Sequence, residues 1–297
     1  MVHQPVLQKE VIEYLDPKAN KNFIDCTIDG GGHAFQIIEK ILPEGRLLGI
    51  DWDPEIMEPL RGRAKKLKVD GNLILACDNF SNLKKITEEL DFKKIWGILF
   101  DLGMSSWHLQ ESKKGFSFLR KEPLDMRYNP ESNPFTAQKL LNYWSSGEIE
   151  KILKEYGQER FARQIARAII EERAMRPIEN TLQLAAIIKR SVPKNYEKGR
   201  IHPATRTFQA LRIAVNNELE NLKKALPQAL ELLEKRGRLV LISFHSLEDK
   251  IIKNFYREKE KEGKLEILNK KPIIASKEEI RKNPASRSAK MRVAIKK

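Results

Sequence analysis

The first hundred residues alternate between short, unbroken apolar runs and longer stretches in which apolar positions recur every three or four residues. Phe23–Cys26, Arg46–Ile50, Leu73–Cys77 and Ile95–Phe100 have strand length. Between them, Ala34–Leu42, Pro54–Leu67 and Asn82–Leu90 carry the period of amphipathic helices. Strands alternating with crossover-length helices predict a parallel sheet with helices on both faces. The run IWGILF, apolar throughout rather than at every second position, agrees with burial on both sides.

After Asp101 the rhythm breaks. The next strand expected is Arg238–Phe244, and the residues before it carry helical patterns at Thr136–Tyr143, Gly147–Tyr156, Glu159–Glu172, Leu182–Arg190, Pro203–Leu222 and Pro227–Leu233. A single crossover needs one helix, so much of this stretch is expected to form an inserted helical subdomain. Gly, Pro and Ser accumulate near its ends, which places it at 115–203. Residues 1–114 and 204–297 then form a discontinuous sheet domain.

Composition changes this picture little. A hydrophobic fraction of 41% supports an ordinary core. The longest apolar runs are far too short to cross a bilayer, and the amino terminus lacks the charged-then-apolar order of a secretory signal. A cytoplasmic protein with no membrane partner is expected. Cys26 and Cys77 lack metal-ligand spacing, so they read as buried, inert thiols, with no metal and no disulfide framework.

Charge is more informative. The net charge is +14, and residues 253–297 carry 15 basic and 6 acidic side chains in what reads as a charged tail. Such an excess concentrates a polyanion near the surface. The alternating REKEKEGK at 257–264 equally fits a solvated Lys/Glu surface.

Ligands of open parallel sheets bind beyond the carboxyl ends of the strands. Those ends read Asp25 with Asp29-Gly30-Gly31-Gly32-His33, then Asp51-Trp52-Asp53, Asp78-Asn79-Phe80 and Asp101-Leu102-Gly103. Acids gathered at four strand ends run against the basic balance of the chain, and point to one acidic crevice. The glycines remove side chains where a backbone approaches a ligand and permit positive φ. Asp51, about twenty residues further on, is placed to accept both hydrogen bonds of a ribose diol.

The G-x-G-x-x-G of a dinucleotide site is absent, and the acids would repel a pyrophosphate. That counts against a nicotinamide-dependent oxidoreductase. S-adenosylmethionine has the ribose and adenine without the phosphate, and carries a sulfonium and an ammonium that suit acidic strand ends. Phe80 is then a candidate to lie against adenine, with Asp78 accepting its amino group. Asp101 is a candidate for the ammonium or the target, with a helix cap as its ordinary alternative.

The blocks DCTIDGGGH, LLGIDWDP, FDLGMSS, GFSF, PLDMRY, YGQERFARQIARAI, HPATRTFQALRIAVNNEL and LISFHSLEDK closely resemble the MraW/RsmH family, in order and over nearly the whole chain. The resemblance implies a class I (Rossmann-like) methyltransferase sheet with a helical insertion. It implies transfer of a methyl group from S-adenosylmethionine to N4 of a cytidine in the decoding region of bacterial 16S ribosomal RNA. It also implies cofactor contacts at Gly31, Gly32, His33, Asp51, Phe80, Asp101 and His108; His108 rests on the resemblance alone. Where the family's first motif reads DGT-x-G-x-GGH, this chain has Cys26 and Asp29 in place of two glycines.

A cytosine N4 amine is a poor nucleophile, because its lone pair is delocalised into the ring. It must be held in line with the methyl carbon by acceptors. The Asp/Asn-Pro-Pro-aromatic turn of many amino-methyltransferases is replaced here by Asp101-Leu102-Gly103-Met104, which leaves Asp101 as the candidate catalytic residue. Neither cysteine has the Pro-Cys context of carbon-5 methylation. Candidate RNA contacts are Arg160, Arg163 and Arg167, opposite Phe161, Ile165, Ala168 and Ile169, together with His202, Arg206 and Arg212. The expected partner is ribosomal RNA or the small ribosomal subunit. The rival expectation is a non-catalytic RNA-binding assembly factor that keeps the fold. Ser246-Leu247-Glu248-Asp249 reads as a helix cap first.

Overall fold

A computed structural model describes residues 5–196 and 201–297. The chain divides into two compact units, one running up to Gly103 and resuming at Leu219, the other Met104–Glu218. In chain order the elements begin α1 (Gln8–Leu15), β1 (Asn22–Asp25), α2 (Gly32–Ile41), β2 (Leu47–Asp51), α3 (Pro54–Lys66), β3 (Leu73–Cys77), α4 (Leu83–Glu89) and β4 (Ile95–Asp101). Then come α5 (Ser106–Gln110), α6 (Ala137–Tyr143), α7 (Ser146–Glu155), α8 (Ala162–Met175), α9 (Thr181–Ser191) and α10 (Thr205–Asn216). The chain closes with α11 (Glu218–Leu232), β5 (Leu233–Ser243), α12 (Ser246–Lys261), β6 (Leu265–Ile267), α13 (Lys277–Lys282) and β7 (Lys290–Lys296).

In the first unit, seven strands among the described residues form one sheet in the order β3-β2-β1-β4-β5-β7-β6. β1 to β5 run parallel, while β7 is antiparallel to both β5 and β6. The chain winds outward from β1 through β2 to β3, then restarts on the other side of β1 with β4. The β1–β4 pair is therefore the topological switch point.

Successive strand residues enter opposite cores. Phe23, Leu47, Leu99, Val240 and Ile242 pack with apolar residues of α1, α2 and α3. Their neighbours Ile24, Leu48, Ile98, Leu239 and Leu241 pack with those of α4, α11 and α12. Burial on both faces is why these strands read as unbroken runs.

Four expectations need correction. Residues 253–297 are not a solvated tail: β7 lies inside the sheet, and Met291, Val293 and Ala294 are buried, with lysines confined to its ends. Pro203–Leu222 is not one helix, because Asn217 takes a left-handed conformation (φ 52°) that ends α10 before α11 begins. Pro227, expected to open a helix, lies within α11. Cys26 is buried as expected, but Cys77 is exposed, being the last residue of the edge strand β3.

The second unit is helical with its own core. Leu140 and Leu141 of α6, Ile149 and Leu153 of α7, Ile165 and Ile169 of α8, Leu184 and Ile188 of α9, and Phe208 and Leu211 of α10 meet in it. Side-chain caps start several of these helices: Thr136 for α6, Asn180 for α9, and a Ser145–Glu148 capping box for α7. Because α10 and Met104 pack on this core, the unit is wider than the 115–203 drawn from punctuation residues.

Candidate functional site

In the first unit β1, β2 and β4 end on Asp25, Asp51 and Asp101. Asp25 is buried, and its Oδ1 accepts from the Thr27 N–H at 3.1 Å. Burial pushes its carboxyl up to about 7; Asp101 and Asp51 push the same way, while His33 and the Thr27 N–H oppose. Asp101 Oδ1 accepts from the Gly103 N–H at 3.3 Å, and Oδ2 stands 3.3 Å from His33 Nε2 without the alignment of a hydrogen bond. Asp25 thus feels the charge of Asp51, Asp101 and His33, while Asp78, the fourth acid expected at the crevice, is not among the groups that act on it.

Asp51 braces two loops. Its Oδ2 accepts from the Asp29 N–H at 3.1 Å, and its Oδ1 from the Asp53 N–H at 3.0 Å. Gly31, at φ +76°, precedes α2, and a Cβ there would come within 2.5 Å of Phe35 Cε2 and 2.9 Å of Leu60 Cδ2. Only glycine fits that combination of handedness and crowding. Arg63 holds the turn from outside: it lies 4.2 Å from the Phe35 ring and donates to the Gly30 carbonyl at 2.8 Å. Asp29 has a φ of 41°, in the left-handed region that favours glycine. Aspartate is among the residues that tolerate this region.

His33 is the second residue of α2 and is buried, and its Nδ1 has no hydrogen-bond partner among the described residues. Buried polar atoms are nearly always paired, so an orphan beside a glycine turn fits a group contributed by a ligand. With acids and few donors around it, the site suits a cationic nucleoside better than a phosphate.

Phe80 is half-buried, with its ring edge-on to Phe100 at 5.5 Å. Asp78 Oδ1 is taken by the Asn79 N–H at 2.6 Å and by Asn82 Nδ2 at 2.9 Å, so this carboxylate shapes the turn that presents Phe80. His108 belongs to the second unit and is buried there, edge-on to Trp107, Phe116 and Tyr128 at 5.0 to 5.2 Å. It is no surface histidine.

The RNA candidates divide by environment. Arg160, Arg163 and Arg167 are exposed, while Ile165 and Ile169 turn into the core. Arg160 lies 5.6 Å from the Tyr196 ring, and Arg167 pairs with Glu171 at 2.8 Å. His202 is exposed, and Arg206 donates to the Gln158 carbonyl at 3.3 Å. Arg212 is committed to a bidentate pair with Glu218 at 2.8 and 2.9 Å. The cap of α12 is His245 rather than Ser246, in a box with Glu248, and Asp249 pairs with Arg292 at 2.6 Å.

Thr27 and Arg63 were not legible as site residues. Each acts on a partner that only the folded sheet brings near.

A profile of the MraW methylase family matches residues 1–297. The chain belongs to that family. Relatives include proteins named ribosomal RNA small subunit methyltransferase H from Persephonella marina, 47% identical over 292 residues and 98% of each chain, and from Heliobacterium mobile, 44% identical over 310 residues, 99% of this chain and 98% of the other. A third, from Sulfurihydrogenibium azorense, is 44% identical over 98% of each. A solved Streptococcus mutans chain, described as a methyltransferase in complex with SAH, superposes with a TM-score of 0.50 at 12% identity over 100% of both chains, a likeness of fold alone. MraW-family methyltransferases use S-adenosylmethionine, and the orphaned His33 Nδ1, the glycine turn and the clustered acids fit it. The sheet of this MraW-family chain is the class I methyltransferase sheet.

Proposed function

We propose that the chain transfers a methyl group from S-adenosylmethionine to N4 of a cytidine in the decoding region of bacterial 16S ribosomal RNA. The observation that carries this is identity of 44% and above, across nearly the full length, to proteins named ribosomal RNA small subunit methyltransferase H. A scaffold that only assembles ribosomes would not need three acids and a buried histidine whose Nδ1 has no hydrogen-bond partner among the described residues.

In this reading Gly31, Gly32, His33, Asp51, Phe80, Asp101 and His108 hold the cofactor. When bound, it supplies a methyl group activated by the sulfonium. Asp51 accepts from the ribose diol, and the Gly31-Gly32 backbone gives close approach. Asp101, fixed by Gly103 and flanked by His33, is the acidic group offered to the cofactor amine or the incoming base. The target cytosine must leave its stack to be reached, which costs a few kcal/mol and favours an unpaired position.

The second unit supplies substrate recognition through Arg160, Arg163, Arg167, His202 and Arg206, with Arg212 serving its own fold instead. Ribosomal RNA or the small subunit is the partner. Among the described residues no helix is long and apolar enough to cross a membrane, which suits a cytoplasmic enzyme. Mass mapping of 16S ribosomal RNA from cells lacking the protein should show one cytidine without its N4 methyl group. A pattern of cytidine methylation unchanged from that of normal cells would overturn the substrate assignment.

A further inference from the structure

The second unit exposes a rigid aromatic pair. The rings of Phe118 and His202 stack, with centroids 4.5 Å apart and planes 16° from parallel. Phe118 is half-buried, and buried Phe208 braces it edge-on at 5.3 Å. His202 is exposed, yet its Nδ1 accepts from the Ala204 N–H at 3.1 Å. The imidazole is therefore held at one face by Phe118 and at one edge by the backbone. A ring fixed in this way loses little freedom when something binds to it.

The surroundings narrow what that something is. Leu119 beside Phe118 is 77% exposed, and Ile201 beside His202 is 39% exposed, which makes an apolar margin. Burial and the nearby Lys189 ammonium hold the His202 ring below its ordinary pKa, so it is neutral at neutral pH and keeps a full aromatic face. Arg206, four residues on, is the second residue of α10 and donates to the Gln158 carbonyl. A flat neutral ring with cations beside it matches a nucleobase and its phosphates. A purely apolar protein partner would have no use for Lys189 and Arg206.

We propose that the Phe118–His202 stack is a platform on which one unpaired base of the substrate RNA lies against the face of the His202 ring turned away from Phe118. The inference rests on the reading of the chain as an RNA-modifying enzyme, and deepens it from a list of basic residues to a mode of contact. Phe118 enters as the support that fixes the ring, and His202 as the contact itself.

The test uses the full chain and a short single-stranded RNA carrying 2-aminopurine, whose fluorescence is quenched by stacking. Wild-type protein should quench it. His202→Ala should abolish the quenching and weaken RNA binding about tenfold. The slope of log affinity against log salt should stay unchanged, since no phosphate contact is lost. His202→Phe should restore both quenching and affinity. Arg206→Ala should instead flatten the salt slope. Absence of quenching with wild-type protein, a salt slope that changes in His202→Ala, or failure of the phenylalanine to restore binding would each overturn the platform. Calorimetry with S-adenosylmethionine separates this from the parent reading. Unaltered cofactor affinity in His202→Ala is expected, and a parallel loss would make the histidine structural. Wild-type protein that stacks RNA but binds no cofactor would overturn the methyltransferase reading alone.

Discussion

The Asp101 N–H donates to the Thr27 hydroxyl at 2.7 Å, one step past the last backbone rung between β1 and β4. That last rung is Cys26 N–H to the Leu99 carbonyl, at 2.9 Å. β1 has ended at Asp25 while β4 continues to Asp101. A side chain thus does across the opening strand ends what a carbonyl does within the sheet. Thr27 is itself tied to the buried Asp25, so Asp101 is positioned from the floor of the switch point.

Thr27→Val keeps the shape and removes the hydroxyl. It should weaken S-adenosylmethionine binding roughly five- to tenfold, because a half-buried N–H is left unpaired beside Asp101. Thr27→Ser should bind like the wild type. Titration calorimetry of both variants decides the matter. A valine variant with native affinity would show that Asp101 holds its place without the bridge.

Asp51→Ala removes more than a ribose acceptor. The carboxylate also receives the Asp29 and Asp53 N–H groups, so the glycine turn and the start of α3 both lose a tether. Cofactor affinity should fall at least about tenfold. Asp51→Asn, which keeps one acceptor oxygen, should lose less. Equal affinities for wild type and alanine variant in calorimetry would sink the ribose assignment.

The site was legible where one residue type has one reason to stand. Acids directly after three apolar runs needed only the strand order to become a cluster, and Gly31 needed only its turn. What escaped depends on three-dimensional neighbours. Thr27 looked like any residue after a strand, and Arg63 like any charge on an outward helix face. β7 escaped because lysines at its ends and Arg292 within it hide a buried centre; Arg292 is buried only because Asp249 meets it. Asn217 broke a helix whose periodicity ran straight through it, since one left-handed residue leaves the apolar spacing intact. Cys77 was misplaced because an edge strand has one neighbour fewer than the apolar run suggests.

Asp25 makes the stability of the chain depend on pH. Its carboxyl is pushed up to about 7 by burial, against an ordinary value of 3.8. Between those values the folded chain keeps a proton that the unfolded chain releases. Stability is therefore greatest below the ordinary value, declines as pH rises through this window, and levels off above about 7. The decline is on the order of a few kcal/mol. Asp25→Asn is neutral throughout and keeps an oxygen for the Thr27 N–H. Denaturant unfolding of both proteins at pH 5 and pH 8 isolates the contribution of this one carboxyl. The asparagine variant should gain on the wild type at the higher pH. A constant difference between the two would mean that Asp25 is already ionised in the folded chain at pH 5, and that its neighbours, rather than its burial, set its charge.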